Sequence, residues 1–478
     1  MAKKSVSNSK EGFIGSTWAG LQSAWREIVR VSTRANTSDD SDPDTIRSQI
    51  RACLDQKGGE VSARNRAAGL ARSYLEFSAE ERLEFLKILN NEFGANGDLI
   101  ASAIDALKTA ENEAETELSR YRLRRALEPA RVQLLREFNT LHSGPRFLVE
   151  LRRELIDLVK EYPELSALER DLKELLRSWF DVGFLDLTSI NWNSPASLLE
   201  KLGRYEAVHK VRSWRDLKNR LDTDRRCFAF FHPCMPNEPL IFIEVALVKG
   251  LAVQIQDLLD EKMPVLEPDE ADTAIFYSIS NAQRGLVGVS FGNFLIKQVV
   301  DLLRRELPNL KRFSTLSPIP GYVKWLESEL ESGRASLSPS ESKALKPIAG
   351  EEKPIEFVAN ALKSPNWHRD DALRGVLKPV LLRYCALYLQ QAKRTGRGTA
   401  ADPVAHFHLN NGARMEQLNW MGDTSPKGIQ ESAGIMINYL YRLDRIESYH
   451  EDYNSNGKIN ASKGVVALQG KVDSSKYQ

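Results

Sequence analysis

The chain has 478 residues, of which 42% are hydrophobic, so it is long enough for two ordinary domains with substantial cores. Its 66 lysine and arginine residues balance 65 aspartate and glutamate residues, which disfavours a polyanionic partner such as nucleic acid. The apolar runs are too short to span a membrane, no secretory signal segment is recognisable, and the four cysteines lack disulfide or zinc spacing, so we predict a cytoplasmic protein.

The first 185 residues are predicted to form an all-helical domain, because stretches rich in Leu, Ala, Glu and Arg repeat there with helical period. A helix is predicted over residues 17–33, and Ser78-x-x-Glu81 and Ser166-x-x-Glu169 match the capping box of a helix start. One helical face after the second box is apolar: Leu168, Leu172, Leu175, Leu176 and Trp179. We interpret this face as a packing surface, within the domain or between subunits.

The remaining residues, 186–478, are predicted to form a mixed α/β domain. CFAFFH and PLIFIEVALV flank the turn-rich PCMPNE and predict two strands of a hairpin, and AIFYSIS predicts a third strand. FLIKQVVDLLRREL has apolar residues at helical spacing and ends at Pro308, and FSTLSP predicts a fourth strand after it. The order strand, loop, helix, strand predicts a βαβ-like crossover. Further on, the polar segment 328–347 is predicted to be an exposed loop.

A glycine-rich loop, residues 281–293, lies inside this crossover. Gly288 and Gly292 lack the Cβ atoms that would keep a ligand from the backbone, and the helix that follows presents free N–H groups. A helix N-terminus of this kind suits a diphosphate. The glycine spacing matches neither common nucleotide-binding motif, so a ligand site and a plain strand-to-helix turn both stay open.

Several segments of the second half resemble the malonyl-CoA decarboxylase family: GVSFGNFLIK, FSTLSPIPGYVKWL and DPVAHFHLNNGARMEQLNWMGDTSPKGIQESAGIMINYLY, together with HPCMPNEPLIFIEVAL and AIFYSIS. The helical first half agrees with that family in type. The resemblance implies a helical domain, residues 1–185, joined to an acetyltransferase-like (GNAT-like) catalytic domain, residues 186–478. It further implies decarboxylation of malonyl-CoA to acetyl-CoA and carbon dioxide in fatty acid metabolism, without cofactor or metal, by a homo-oligomer assembled through the helical domain.

The resemblance also assigns site residues. The family's catalytic serine and histidine fall on Ser317 and His408, and a tyrosine near its active site, counted among the substrate-binding residues, matches Tyr441. The loop that contacts malonyl-CoA aligns with Val287, Gly288, Val289, Ser290, Phe291, Gly292 and Asn293. Two of these positions depart from the pattern. Val287 stands where acetyltransferase loops usually begin with Gln or Arg, and Ser290 stands where some decarboxylases of the family carry an acidic residue.

The chemistry of the two catalytic candidates agrees with this reaction. Loss of carbon dioxide from a malonyl thioester needs a donor for the developing enolate oxygen and a proton for C2. His408, which we predict in a strand before the Asn410–Gly412 turn, suits either task. Ser317, predicted at a strand end, suits a hydrogen bond to the carboxylate or a proton relay, so the division of roles stays open. His406 shares the predicted strand face with His408, but no third metal ligand is evident.

Two other functions stay open on the residues alone. One is an acetyl-CoA-dependent N-acyltransferase of the same fold, for which His408 is the one available base. The other is a non-catalytic CoA-binding protein whose helical half binds a partner. His232 in FFHPCMP is interpreted as a structural turn residue. Without the resemblance, the residues lead only to a CoA- or nucleotide-binding α/β enzyme.

Overall fold

The computed structural model describes residues 42–55, 59–180, 182–289, 295–364, 366–394 and 398–470. Within these ranges the chain divides into two compact units. The first holds the described residues up to 185 together with the segments 232–238 and 283–289, and the second holds the remaining described residues. The helix predicted over residues 17–33 lies outside the described part of the chain.

The first unit is helical, as predicted. Its described α-helices are α1 (Pro43–Leu54), α2 (Gly59–Glu76), α3 (Ala79–Glu92), α4 (Gly97–Lys108), α5 (Glu113–Leu127), α6 (Ala130–Asn139), α7 (Gly144–Leu158) and α8 (Ser166–Trp179). The capping box predicted at Ser78 is present at the start of α3. The apolar stripe of α8 faces the core of the unit, because all four of its leucines are buried while Trp179 stays half-buried.

The capping box predicted at Ser166 is wrong. A 3-10 turn, Pro163–Leu165, runs directly into α8, so Ser166 is already the first residue of the helix. Its hydroxyl donates to the Pro163 carbonyl instead of accepting from a backbone N–H. A capping box needs the serine in extended backbone just outside the helix, and the preceding turn removes that conformation.

The segment 232–238 joins two strands of the second unit and belongs to the first unit. The His232 Nδ1 atom accepts a hydrogen bond from the Cys234 N–H at 3.1 Å, and the imidazole ring packs against Phe180 at a tilt, with centroids 4.9 Å apart. These contacts agree with a structural turn role for His232.

The second unit is built on a mixed sheet. Among the described residues the sheet has seven strands: β1 (Asp186–Ile190), β2 (Arg225–Phe231), β3 (Ile241–Val248), β4 (Thr273–Asn281), β5 (Arg312–Thr315), β6 (Arg414–Asn419) and β7 (Met436–Leu440). Their order across the sheet is β1-β2-β3-β4-β5-β7-β6. Neighbours are antiparallel except β4 and β5, which are parallel. The predicted hairpin, the third and fourth strands and the crossover are therefore confirmed.

Helices connect and cover these strands. They are α9 (Ala196–Tyr205), α10 (Trp214–Asn219), α11 (Ile255–Leu258), α12 (Leu295–Glu306), α13 (Tyr322–Glu331), α14 (Pro339–Ala349), α15 (Pro354–Lys363), α16 (Asp371–Gln391), α17 (Pro403–Asn410), α18 (Pro426–Ser432), α19 (Ile446–Asn456) and α20 (Lys463–Leu468). The amphipathic helix predicted before Pro308 is α12. Across the described ranges, no helix has the length and apolarity that crossing a membrane requires.

The loop predicted over residues 328–347 is wrong, because most of it is helical. It contains the end of α13 and most of α14, which begins with a capping box between Ser338 and Glu341. Glu341 is also paired with Arg383 of α16 at 2.7 Å. The polar residues of this segment therefore cap a helix and form a tertiary ion pair. The polarity of a sequence does not distinguish such residues from those of an exposed loop.

The sheet opens where β4 and β5 part. The two strands pair only from Thr273 with Arg312 to Phe276 with Thr315, and the Leu316 N–H still donates to the Phe276 carbonyl at 3.1 Å. Beyond that point β4 continues to Asn281 against β3, while the chain after β5 follows β7. The carboxyl ends of two parallel strands are thus separated, which is where α/β sheets commonly bind ligands.

Candidate active site

A cavity of about 330 Å³ lies in the second unit where β4 and β5 separate. Side chains from β3 and β4, from the start of α12, from the segment after β5 and from α17 form its wall. Most of this lining is apolar, and the polar side chains among it include Asn281, Ser317 and His408. An apolar concavity with few polar groups is typical of a small-molecule site.

Ser317 and His408 meet at this wall. The Ser317 Oγ atom lies 3.1 Å from the His408 Nε2 atom, and both side chains are buried. Ser317 is fixed by its backbone, which exchanges two hydrogen bonds with Ile437 of β7 at 2.8 and 3.0 Å. The structure therefore brings the two catalytic candidates within hydrogen-bond distance, although 91 positions separate them in the sequence.

His408 lies on a helix, and the strand predicted for it is wrong. Asp402 caps α17 by accepting from the N–H groups of Val404 and Ala405 at 3.0 and 2.8 Å, with Pro403 in the first turn. The chain leaves the helix through Gly412, whose φ is +77°. A Cβ atom there would lie 2.2 Å from the Ile446 carbonyl oxygen, so the turn that ends the His408 helix requires glycine.

The helical setting also separates the two histidines that were predicted to share a face. Residues two apart on an α-helix point about 200° away from each other. His406 accordingly contacts the Tyr453 hydroxyl at 2.8 Å rather than the cavity. In the described ranges, no three His, Cys, Asp or Glu side chains are grouped closely enough to hold a metal ion. The four cysteines are free thiols.

Hydrogen-bond directions assign the tautomer of His408. The Ser317 hydroxyl donates its proton to the Thr315 Oγ1 atom at 2.8 Å, so the 3.1 Å contact with His408 requires the imidazole Nε2–H as the donor. The Nδ1 atom then accepts from the Tyr441 hydroxyl at 2.8 Å. The imidazole ring also stacks on Tyr439, with centroids 4.7 Å apart. His408 is thus held as an Nε2–H donor beside the cavity.

Burial keeps this histidine neutral. Removal from water lowers the pKa of His408 to about 3, and it raises the pKa of Tyr441 well above its ordinary value. At pH 7 the imidazole therefore has one proton, on Nε2, and the tyrosine keeps its own. The site therefore has two proton donors in series, His408 and Tyr441, and neither group is charged.

The loop residues predicted to bind CoA are described only in part. Val287, Gly288 and Val289 belong to the first unit. Ser290, Phe291, Gly292 and Asn293 lie outside the described residues. A Cβ atom built on Gly288, where φ is +74°, would lie 3.1 Å from the Lys173 Nζ atom. The loop backbone thus has a lysine side chain beside it.

Arg152 of α7 binds the same loop. Its guanidinium donates to the carbonyls of Gly285 and Val287 at 2.6 and 2.8 Å, and Glu169 pairs with it at 2.8 Å. Gly285 lies so close to α7 that a Cβ atom there would be 1.8 Å from the Val149 carbonyl oxygen. Arg152 was missed from the sequence, because nothing distinguishes it from the other arginines of the helical half.

Two further site features were not found from the sequence. Thr315 lies inside FSTLSP, where it reads as an ordinary strand residue, and its hydroxyl contacts Ser317. The contact of Tyr441 was also not found, because the resemblance placed Tyr441 among the substrate-binding residues and did not predict the hydrogen bond between its hydroxyl and the His408 Nδ1 atom. The run of small hydroxyl residues before Ser317 is the signal that points to a buried polar network there.

Comparison with known protein families gives two adjoining matches. The model of the malonyl-CoA decarboxylase N-terminal domain matches residues 93–180, and the model of the malonyl-CoA decarboxylase C-terminal domain matches residues 183–477. The second match contains the cavity, Ser317, His408 and Tyr441.

Individual proteins agree with these matches. The mitochondrial malonyl-CoA decarboxylase of Anser anser anser is 40% identical over 85% of this chain and 83% of its own length. That of Rattus norvegicus is 39% identical over 82% of each chain. The crystal structure of malonyl-CoA decarboxylase from Rhodopseudomonas palustris has a TM-score of 0.81 and 41% identity, covering 90% of this chain and 99% of its own. The structure from Agrobacterium vitis has a TM-score of 0.79 and 41% identity, covering 89% and 100%.

The names of these relatives contradict the predicted cytoplasmic location. The goose and rat proteins are both named mitochondrial, so the prediction from the sequence is wrong. It depended on finding no apolar secretory signal. Mitochondrial targeting segments are amphipathic and rich in arginine, so that search does not detect them.

Proposed function

The chain belongs to the malonyl-CoA decarboxylase family and converts malonyl-CoA into acetyl-CoA and carbon dioxide, and from this premise we propose that His408, Ser317 and Tyr441 catalyse the reaction in the cavity between β4 and β5. One observation carries the assignment. A neutral, buried histidine presents its Nε2–H beside Ser317 at the wall of the cavity, and a tyrosine hydroxyl backs its other nitrogen.

The first step is cleavage of the bond between the carboxylate carbon and C2. The electron pair of that bond moves into the thioester, which becomes an enolate, and the carboxylate leaves as neutral carbon dioxide. The apolar wall of the cavity favours this step, because it solvates a carboxylate poorly and carbon dioxide well. The His408 Nε2–H donates a hydrogen bond to the developing enolate.

The second step is protonation of C2. The His408 Nε2 proton moves to C2 and forms acetyl-CoA, while the Nδ1 atom takes the Tyr441 proton along their 2.8 Å hydrogen bond. Tyr441 then recovers a proton from solvent, so the reaction consumes one proton in total. A thioester enolate carbon is a much stronger base than a phenolate, so the transfer is favourable even though burial raises the pKa of Tyr441.

Ser317 has a different role from His408 in this scheme. Its hydroxyl donates to the Thr315 Oγ1 atom, and its oxygen accepts from the His408 Nε2–H. Ser317 therefore holds the imidazole Nε2–H at the cavity wall, and the substrate replaces the serine oxygen as its acceptor. The thioester carbonyl is itself the electron sink, so we propose that no cofactor or metal takes part.

The fold and the CoA contact are part of the same proposal. The strand order β1-β2-β3-β4-β5-β7-β6, with one parallel pair at the opening of the sheet, supports a GNAT-like catalytic domain over residues 186–478. The loop from Val287 to Asn293 would hold the CoA diphosphate through backbone N–H groups. Arg152 supports this assignment, because it fixes the backbone at Gly285 and Val287.

We propose that the helical domain, residues 1–185, assembles the protein into a homo-oligomer. The support is apolar surface on α4 and α5, which pack against each other and still expose five large side chains: Leu99, Ile104, Leu118, Tyr121 and Leu127. Large apolar side chains exposed on one pair of helices are typical of an interface.

The test is formation of carbon dioxide and acetyl-CoA from malonyl-CoA by purified protein in the presence of a metal chelator. We expect His408→Gln to lower kcat by about two to four decades and Ser317→Ala by about two to three decades. Both variants should unfold at temperatures near that of the wild type and still bind acetyl-CoA. Wild-type activity in either variant would contradict the assignment of the site. Failure of the wild-type protein to release carbon dioxide would contradict the function itself.

A further inference from the structure

A chain of buried polar side chains runs behind Ser317. Its first member is Thr315, the last residue of β5, which has no exposed surface. The Thr315 Oγ1 atom accepts two hydrogen bonds, from the Ser317 hydroxyl at 2.8 Å and from the Tyr439 N–H at 3.1 Å. The side chain of Thr315 thus provides an acceptor to β7 and to the catalytic serine together.

Asn438 fixes the backbone of Thr315. Its Nδ2 group donates to the Thr315 carbonyl at 2.7 Å and to the Ala252 carbonyl at 3.0 Å. Its Oδ1 atom accepts from the Asn419 Nδ2 group at 2.8 Å. Asn438 is fully buried and Asn419 nearly so. A satisfied polar network of this kind is rigid, because any broken bond leaves a buried group unpaired.

We propose that Thr315 is a positioning residue of the reaction, since it binds the Ser317 proton and so leaves the serine oxygen free to accept from His408. This inference rests on the proposed function of Ser317 and His408. Without an acceptor at position 315, the Ser317 hydroxyl can rotate and donate to His408 Nε2. The imidazole proton would then move to Nδ1, and the donor beside the cavity would be lost.

Thr315→Val tests this role, because valine keeps the shape of threonine and lacks the hydroxyl acceptor. We expect kcat to fall about tenfold to a hundredfold with KM for malonyl-CoA within about twofold of wild type. Thr315→Ser restores the acceptor and should return kcat to within about threefold of wild type.

Ser314→Ala is the matched control. The Ser314 hydroxyl is also buried on β5 and also bonds to Tyr439, through the carbonyl at 3.1 Å, but it does not contact Ser317. Loss of this hydroxyl should leave kcat within about twofold of wild type.

Three outcomes would overturn the role of Thr315: wild-type kcat in Thr315→Val, failure of Thr315→Ser to restore kcat, or an equal loss in Ser314→Ala.

If thermal unfolding shows that Thr315→Val does not fold, Thr315→Cys replaces it, because a thiol is a weak acceptor of similar size. Wild-type protein and Ser317→Ala are measured in the same series. A wild type without activity would contradict the proposed function, whereas an inactive Ser317→Ala beside a fully active Thr315→Val would contradict this inference alone.

Discussion

The second unit contains two buried polar clusters that differ in the charge of their members. Around Arg220, the guanidinium contacts Asp216 at 3.0 Å and Glu244 at 3.1 Å, and all three side chains are at most 3% exposed. Around His408, the hydrogen-bond partners are the neutral hydroxyls of Ser317 and Tyr441. The first cluster consists of opposite charges, and the second contains no charge.

This difference separates structural from chemical roles. In the Arg220 cluster, each charge is needed to offset the cost of burying the others, so none is available to a ligand. In the His408 cluster, burial keeps the groups neutral, and the Nε2–H that contacts the Ser317 oxygen lies at the wall of a cavity. We therefore expect substitutions in the first cluster to change stability and substitutions in the second to change turnover.

The largest expected effect is on stability, at Arg220. Arg220→Met leaves Glu244 and Asp216 buried without their shared cation, and should lower the free energy of unfolding by about 3–5 kcal/mol. Urea unfolding measures this change. Arg204→Met, which removes a solvent-exposed ion pair with Glu200 on α9, is the control and should change it by less than about 1 kcal/mol. Equal effects of the two variants would show that the stability of the protein does not depend on the buried charge of Arg220.

The next effect is on turnover, at Tyr441. Tyr441→Phe removes the hydroxyl behind His408 and should lower kcat about tenfold to a hundredfold, because C2 then receives its proton without a second donor. Steady-state kinetics with malonyl-CoA measure the loss. Tyr439→Phe is the matched control. It keeps the ring that stacks on His408 and removes a buried hydroxyl that has no hydrogen-bond partner among the described residues. A similar loss of kcat in both variants would argue against the proton relay.

The last expected effect is a pH dependence of opposite sign in the two clusters. Burial, aided by the nearby charge of Glu206, raises the pKa of Glu244 from 4.5 to about 7. Between these values the folded protein holds a proton that the unfolded chain releases, so the contribution of Glu244 to stability decreases as pH rises. The difference in free energy of unfolding between wild type and Glu244→Gln should therefore decrease from pH 4.5 to 7 and stay constant above it.

For His408 the sign is reversed. Its pKa is lowered from 6.5 to about 3, so over that window the unfolded chain binds a proton that the folded protein does not. Its contribution to stability is complete above pH 6.5 and is lost as pH falls. The difference between wild type and His408→Gln should accordingly increase as pH rises from 3 to 6.5. Urea unfolding at matched pH values measures both differences. If both differences changed with pH in the same direction, the opposite pH dependence expected for the two clusters would be contradicted.

Much of the fold could be predicted because the hydrophobic pattern of these segments matches their burial in the folded protein. The β2 and β3 runs are continuous and apolar, since both strands are central in the sheet, and α12 has one apolar face. The strand predicted at His408 failed because a helix of eight residues is too short for periodicity to identify. The Asp402-Pro403 start signal was the better guide there.

The candidate site could be predicted only as far as the family resemblance reaches. Ser317 and His408 were found by motif, but their contact depends on β5, β7 and α17 meeting in space, which spacing in the sequence does not encode. Thr315 acts through hydrogen bonds to Ser317 and to Tyr439 of β7, and Arg152 acts through hydrogen bonds to the loop at Gly285 and Val287. Their residue types are common, so only the folded geometry distinguishes them from their neighbours.

The most direct test of the central claim is a pH titration of the His408 imidazole nitrogens by 15N NMR. The protein would carry 15N-labelled histidine, and His408→Gln would identify the signals. We predict a neutral ring with its proton on Nε2 throughout pH 5–8 and no titration in that range. A midpoint near 6.5, or a proton on Nδ1 at neutral pH, would contradict the account of His408 as a neutral Nε2–H donor.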